Sequence, residues 1–130
     1  MEKKIIMEKK IRVYIASPYT LGDREENVQL QIDAYYYLLK LGFNPYMPVY
    51  AHFIVKKYPD VDTYPWLEID KSWLEVCDIM VRLHPKDKNG VEIKSLGADE
   101  EEAFARNNRI PVFHFDIIEE MLQMIEQITI

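Results

Sequence analysis

An α/β fold of three layers is what the sequence predicts: a parallel sheet of about four to five strands, with helices covering both faces. Two observations carry this reading. Short apolar segments of strand length alternate with segments whose apolar residues recur at helical spacing. The helical stretches between the strands suit right-handed crossovers, which join parallel strands.

Ile11 to Ala16 reads as a buried first strand. Asp23-x-x-Glu26 has the pattern of a capping box; Val28, Ile32, Tyr35, Tyr36 and Leu39 then follow at helical spacing until Gly42. Asn44 to Val49 is a short second strand, and its prolines place it near an edge or a strand end. A polar and aromatic segment comes next, with a short helical piece around Ala51 to Lys57. Trp66 to Cys77 is a second clear helix, Asp78 to Leu83 a third strand, and Ser95 to Asn107 a third main helix. Ile110 to Phe115 completes the strands, and Asp116-x-x-Glu119 caps a last helix bearing Met121, Leu122, Ile125 and Ile128.

At 130 residues and 15.5 kDa the chain is long enough for one core. Met1-Glu-Lys-Lys-Ile5 is nearly repeated by Met7-Glu-Lys-Lys-Ile11. Residues 1–8 therefore read as an N-terminal extension, disordered or artefactual, and 9–130 as a single domain. Hydrophobic residues make up 48% of the chain, which fits an ordered globular protein. A net charge of −6 excludes sequence-independent nucleic-acid binding, which needs a basic surface. No apolar run is long enough to span a bilayer, and no signal-peptide pattern precedes the first strand. The single cysteine, Cys77, rules out an internal disulfide and fits a reducing, cytoplasmic setting.

In open parallel sheets ligands bind beyond the carboxyl ends of the strands, where the strand order reverses. Ser17-Pro-Tyr-Thr20, Tyr50-Ala-His52 and Ser95-Leu-Gly97 follow strands or open helices at that edge, so they converge. Asp70 is anomalous on the pattern alone, because its helical neighbours Trp66, Leu67, Trp73 and Leu74 are all apolar. An ionised carboxylate buried in such a stripe costs several kcal/mol, at order of magnitude, unless it is paired or protonated. Glu101 has Gly97, Ala98, Phe104 and Ala105 at the same offsets. Glu100 is similarly surrounded, and periodicity does not separate the two; Glu102, with Arg106 one turn on, reads as half of an exposed ion pair. Ser17, Thr20 and Arg24 are suited to a phosphate or to sugar hydroxyls, and His52 to a pocket wall. Trp66, Trp73, Tyr19 and Tyr50 offer faces for a planar ring. Cys77 sits before a buried strand and reads as inert. No second His or Cys at ligand spacing supports a metal site, and no Gly-rich nucleotide loop is present.

Together these residues resemble the nucleoside 2-deoxyribosyltransferase superfamily, including the 2'-deoxynucleoside 5'-phosphate N-hydrolases, with an overall pattern like that of its DUF1937 branch. The matching residues begin with Val13-Tyr14-Ile15-Ala16-Ser17-Pro18-Tyr19-Thr20, then Pro48 with His52, Trp66, Asp70, Leu74 and Cys77-Asp78. They continue through Ser95-x-Gly97-Ala98-x-x-Glu101-x-x-x-Ala105 to Pro111-Val112, spanning roughly residues 11 to 113. The resemblance implies a Rossmann/flavodoxin-like fold, no cofactor, and a homodimer or larger assembly. It implies Glu101 as the nucleophile that attacks the anomeric carbon, Tyr14 as the residue that orients it, and Asp70 as the acid beside the departing base. Ser95, with Gly97, stands where the nucleotide hydrolases hold a 5'-phosphate and the transferases carry an aspartate. That difference favours a nucleoside 5'-monophosphate over a free nucleoside. The phosphate arginine of those hydrolases is replaced within Ser17-Pro-Tyr-Thr20; Arg24, Arg82 and the basic loop with Lys86, Lys88 and Lys94 are the substitutes at hand. The expected function is N-glycosidic cleavage of a nucleotide, with base transfer as the alternative. A non-catalytic nucleotide-binding protein and a Rossmann-like interaction domain with a merely acidic helix are the competing classes.

Overall fold

Side chains on the first strand, β1 (Arg12–Ala16), alternate between the two sides of the sheet and so sort the core into two halves. Val13 and Ile15 join one buried cluster with Ala34, Leu38, Val81, Leu83, Met121 and Ile125. Tyr14 and Ala16 join the other with Leu74, Met80, Ala98, Ala105 and Ile110. The computed structural model describes residues 10–127, so the expected extension over 1–8 and Ile128 lie outside the described residues.

In chain order the further elements are α1 (Arg24–Lys40), β2 (Asn44–Tyr46), α2 (Tyr50–Lys57), a single 3₁₀ turn (Pro59–Val61) and α3 (Trp66–Leu74). Then come β3 (Ile79–Leu83), α4 (Leu96–Asn107), β4 (Val112–Phe115) and α5 (Ile118–Ile125). The four strands are all parallel in the order β2-β1-β3-β4. Residues of α1 and α5 contribute to the first cluster, and those of α3 and α4 to the second, which gives the three layers expected. The order reverses between β1 and β3, so the crevice for a ligand lies over their carboxyl ends. Pro45 is tolerated because β2 is an edge strand, hydrogen-bonded on one side only.

Several boundaries differ from the sequence reading for local reasons. β2 ends at Tyr46, because the Tyr50 N–H bonds the Met47 carbonyl and turns the chain into α2. α3 stops at Leu74; the N–H groups of Val76 and Cys77 bond carbonyls three residues back and tighten the exit toward β3. The cap of α1 is as expected, with Asp23 accepting from the Glu26 N–H at 3.1 Å. The cap of α5 is not. Its N-cap is Ile117, and Glu120 rather than Glu119 reaches back to the Asp116 N–H, at 3.4 Å.

The largest difference is the buried face of α1, which is Asn27, Val28, Gln31, Ala34 and Leu38, while Tyr36 and Leu39 are exposed. Hydrophobicity missed it because two of its members are amides. Both serve the crevice. Asn27 donates to the Tyr19 and Leu21 carbonyls at 3.2 and 2.7 Å, pinning the loop after β1. Gln31 donates to Ser17 Oγ at 2.8 Å and accepts from the Val49 N–H at 3.3 Å, tying that loop to the one after β2.

Candidate active site

A cavity of about 460 Å³ is lined by segments that follow the carboxyl ends of β1, β2 and β3, within the usual range of small-molecule sites. Ser17 and Thr20 reach it from the loop after β1, Pro48 and Val49 from the loop after β2, and His52 and Val55 from α2. Trp66, Leu67 and Asp70 enter from α3; Lys94, Ser95, Gly97 and Glu101 come from the start of α4 and the residue before it. The three loops singled out in the sequence therefore converge.

The structure separates the two glutamates that periodicity left equal. Glu101 is 6% exposed and faces the cavity, whereas Glu100 lies outside with Lys71 at 3.9 Å. Behind Glu101 stands Tyr14, fully buried, whose hydroxyl donates to Glu101 Oε2. Tyr14 is not part of the cavity wall; it holds the glutamate from the sheet side. Burial pushes the Glu101 carboxyl up to about 8, and the Tyr14 hydroxyl opposes that push by favouring the charged form.

Asp70 is 8% exposed, and the Tyr46 hydroxyl donates to its Oδ1 at 3.3 Å. Burial raises its carboxyl to about 7 against the lowering effect of that hydrogen bond. The cavity lining thus includes two buried carboxyls, both raised toward neutrality or above by burial, with the apolar surfaces of Trp66, Leu67, Val55 and Pro48 also lining it. Trp66 is half-buried and fixed by its indole N–H to the Val61 carbonyl at 2.9 Å.

Ser95 is first of all the N-cap of α4: its Oγ accepts from the Ala98 N–H at 3.0 Å. Its hydroxyl proton remains free to donate outward. A Cβ at Gly97 would meet nothing within 4 Å, so the start of the helix borders open space there. His52 bonds the Tyr19 hydroxyl through Nδ1 at 2.8 Å, with Glu25 3.4 Å from Nε2.

Two of the suggested cations are engaged elsewhere. Arg24 lies 4.9 Å over the Tyr19 ring and is not on the cavity wall. Arg82 is spent on Asp99 and on Glu102, the latter at 3.0 Å, and Glu102 also holds Arg106 at 2.9 Å. Glu102 is therefore a mostly covered clamp rather than half of an exposed pair. Lys86 and Glu92 form a backbone β-bridge that closes a turn at Gly90, and Lys88 lies in the same turn. Lys94 is the lysine or arginine found among the described residues lining the cavity. Burial lifts the Cys77 thiol to about 11, which leaves it unreactive. No group of three or more metal-ligating side chains gathers among the described residues. Nor, among them, is any helix long and apolar enough to cross a membrane.

Sequence reasoning missed Gln31, Asn27 and Tyr46. For the amides a signal existed: positions 27, 31, 34 and 38 are spaced as one helical stripe. For Tyr46 there was none short of the strand register.

The fold is that of a known class of α/β proteins. A 2-deoxyribosyltransferase from the psychrotolerant bacterium Bacillus psychrosaccharolyticus matches with a TM-score of 0.60 at 18% identity, over 91% of this chain and 92% of that one. At that identity the likeness establishes the shared architecture. No family model matches the chain, and no curated protein does.

Proposed function

We propose that the chain belongs to the nucleoside 2-deoxyribosyltransferase superfamily and cleaves the N-glycosidic bond of a nucleoside 5'-monophosphate. The observation that carries this reading is that two buried carboxyls line one cavity, Glu101 held by Tyr14 and Asp70 held by Tyr46. Ionised Glu101 attacks the anomeric carbon, and the C–N electrons leave with the base, which takes a proton from Asp70. The resulting glycosyl ester is opened by water, whose proton passes back to Asp70, and the enzyme is restored. A carboxyl near 7 is suited to donating and recovering that proton. Trp66 and Leu67 provide faces for the base. Lys94, the Ser95 hydroxyl, the open helix start at Gly97 and Thr20 provide for the phosphate. Burial in a homodimer and a cytoplasmic setting belong to the same reading.

The second reading is base transfer, supported by the activity of the deoxyribosyltransferase that shares the fold. It uses the same ester, opened by a second base instead of water.

Incubation with ribo- and deoxyribonucleosides and their 5'-monophosphates, with free base measured by chromatography, tests both. Release from monophosphates, lost in Glu101→Ala, is the expected result, with Lys94→Ala raising KM for monophosphates but not for nucleosides. Unchanged release in Glu101→Ala removes the nucleophile assignment. Exchange that requires an added base selects the transferase, and tight binding without turnover selects a binding protein.

A further inference from the structure

Tyr14 and Tyr46 are register partners in the parallel pair of β1 and β2, so their side chains rise side by side from the same face of the sheet. Their rings stack with centroids 5.5 Å apart at 27°, and Trp73 stacks on the far side of Tyr46 at 5.9 Å and 23°. Each hydroxyl serves a different carboxyl, Tyr14 that of Glu101 and Tyr46 that of Asp70. The spacing of the two carboxyl groups is thereby referred to one rigid object, the strand register.

We propose that Tyr46 is the positioning residue of Asp70: by donating to Oδ1 it fixes the carboxyl plane and leaves Oδ2 to carry the transferable proton. This rests on the acid role given to Asp70 above. A hydroxyl that donates to Oδ1 excludes a proton from that oxygen, so the acid has one tautomer. Tyr46 itself stays protonated. Burial raises its hydroxyl far above neutrality, and contact with Tyr50 and the Asp70 charge add to this. Other charges near α3 are engaged elsewhere: Lys71 with Glu68 and Glu100 at 3.3 and 3.9 Å, and Glu101 with Tyr14. Asp62, also on the cavity wall, is exposed to solvent. At 3.3 Å the Tyr46 bond is long for O–H···O and has room to shorten when a ligand closes the cavity.

Tyr46→Phe keeps the ring stack and removes only the donor. Loss of a donor to the charged form raises the Asp70 carboxyl further, so the Asp70 titration moves to higher pH by about one pH unit. With it, kcat falls about tenfold while KM stays within about twofold. Carbon-detected NMR of the aspartate carboxyls in ligand-free protein reads the same change without turnover. An unmoved Asp70 titration in Tyr46→Phe overturns the proposal whether or not the chain cleaves nucleotides. A moved titration in a protein that releases no base leaves Tyr46 as the partner of Asp70 and removes the proposed function instead. On an Asp70→Asn background Tyr46→Phe adds no further loss of rate; full additivity of the two losses overturns the positioning role.

Discussion

Glu101→Gln is expected to stabilise the fold, and to do so more as the pH rises. The folded carboxyl titrates at about 8 against 4.5 for the free side chain, because burial disfavours its charge. A carboxyl raised in this way is neutral in both states below about pH 4.5, so there the substitution is nearly silent. Between about 4.5 and 8 the unfolded chain gives up the proton and the folded one keeps it. Wild-type stability therefore falls by about 1.36 kcal/mol per pH unit through that window. The full span amounts to on the order of 5 kcal/mol, an upper bound because Tyr14 favours the charged form. Against a usual total of about 5–15 kcal/mol this is a large share. Glutamine retains the acceptor for Tyr14, so the shape of the site survives. Urea denaturation followed by circular dichroism at pH 5.5 and 8.5 is expected to show the advantage of Glu101→Gln growing by about 3 kcal/mol. An advantage independent of pH refutes a buried, protonated Glu101.

Two further outcomes are expected. Tyr14→Phe removes a hydrogen bond that favours the charged form of Glu101, worth about 1.5–3 kcal/mol, so kcat/KM for base release falls on the order of tenfold to a hundredfold and the Glu101 titration moves to higher pH. Steady-state rates and carboxyl NMR across pH check it, and a drop in rate with an unmoved Glu101 titration contradicts it. Gly22→Ala is destabilising by about 1–2 kcal/mol in thermal or urea unfolding, because Gly22 has φ +78° and a Cβ there would meet Ile93 Cδ1 at 2.9 Å. An unchanged midpoint contradicts that contact.

How much of this was legible in the sequence depends on whether hydrophobicity or geometry placed a residue. Asp70 stood out because four apolar neighbours share its helical face, and the structure buries it there. The alternation of strands and helices gave the layers, since a parallel sheet needs both faces covered. Glu101 and Glu100 were inseparable, because adjacent residues on a helix differ by only about 100° and both edges of this face are small or apolar. Register decides what lies opposite, so Tyr46 became visible only once β1 and β2 were paired. Arg24 lies off the cavity wall. Its position in the first turn of α1 suggested a phosphate, but the aromatic face of Tyr19 lies closer to hand. Lys94 was named together with Lys86 and Lys88, and only the structure separates it from them by setting it on the cavity wall.

Gln31 has a consequence for ligand traffic. One amide on a rigid helix holds both the loop after β1 and the loop after β2, through Ser17 Oγ and the Val49 N–H. Widening the mouth on that side breaks two buried hydrogen bonds, each leaving groups unsatisfied at about 1–3 kcal/mol. The loop leading to Lys94 comes close to the loop after β1 at Ile93, whose Cδ1 would lie 2.9 Å from a Cβ added at Gly22. The mouth is therefore costlier to widen on the side that Gln31 holds, where two loops must part from one helix together.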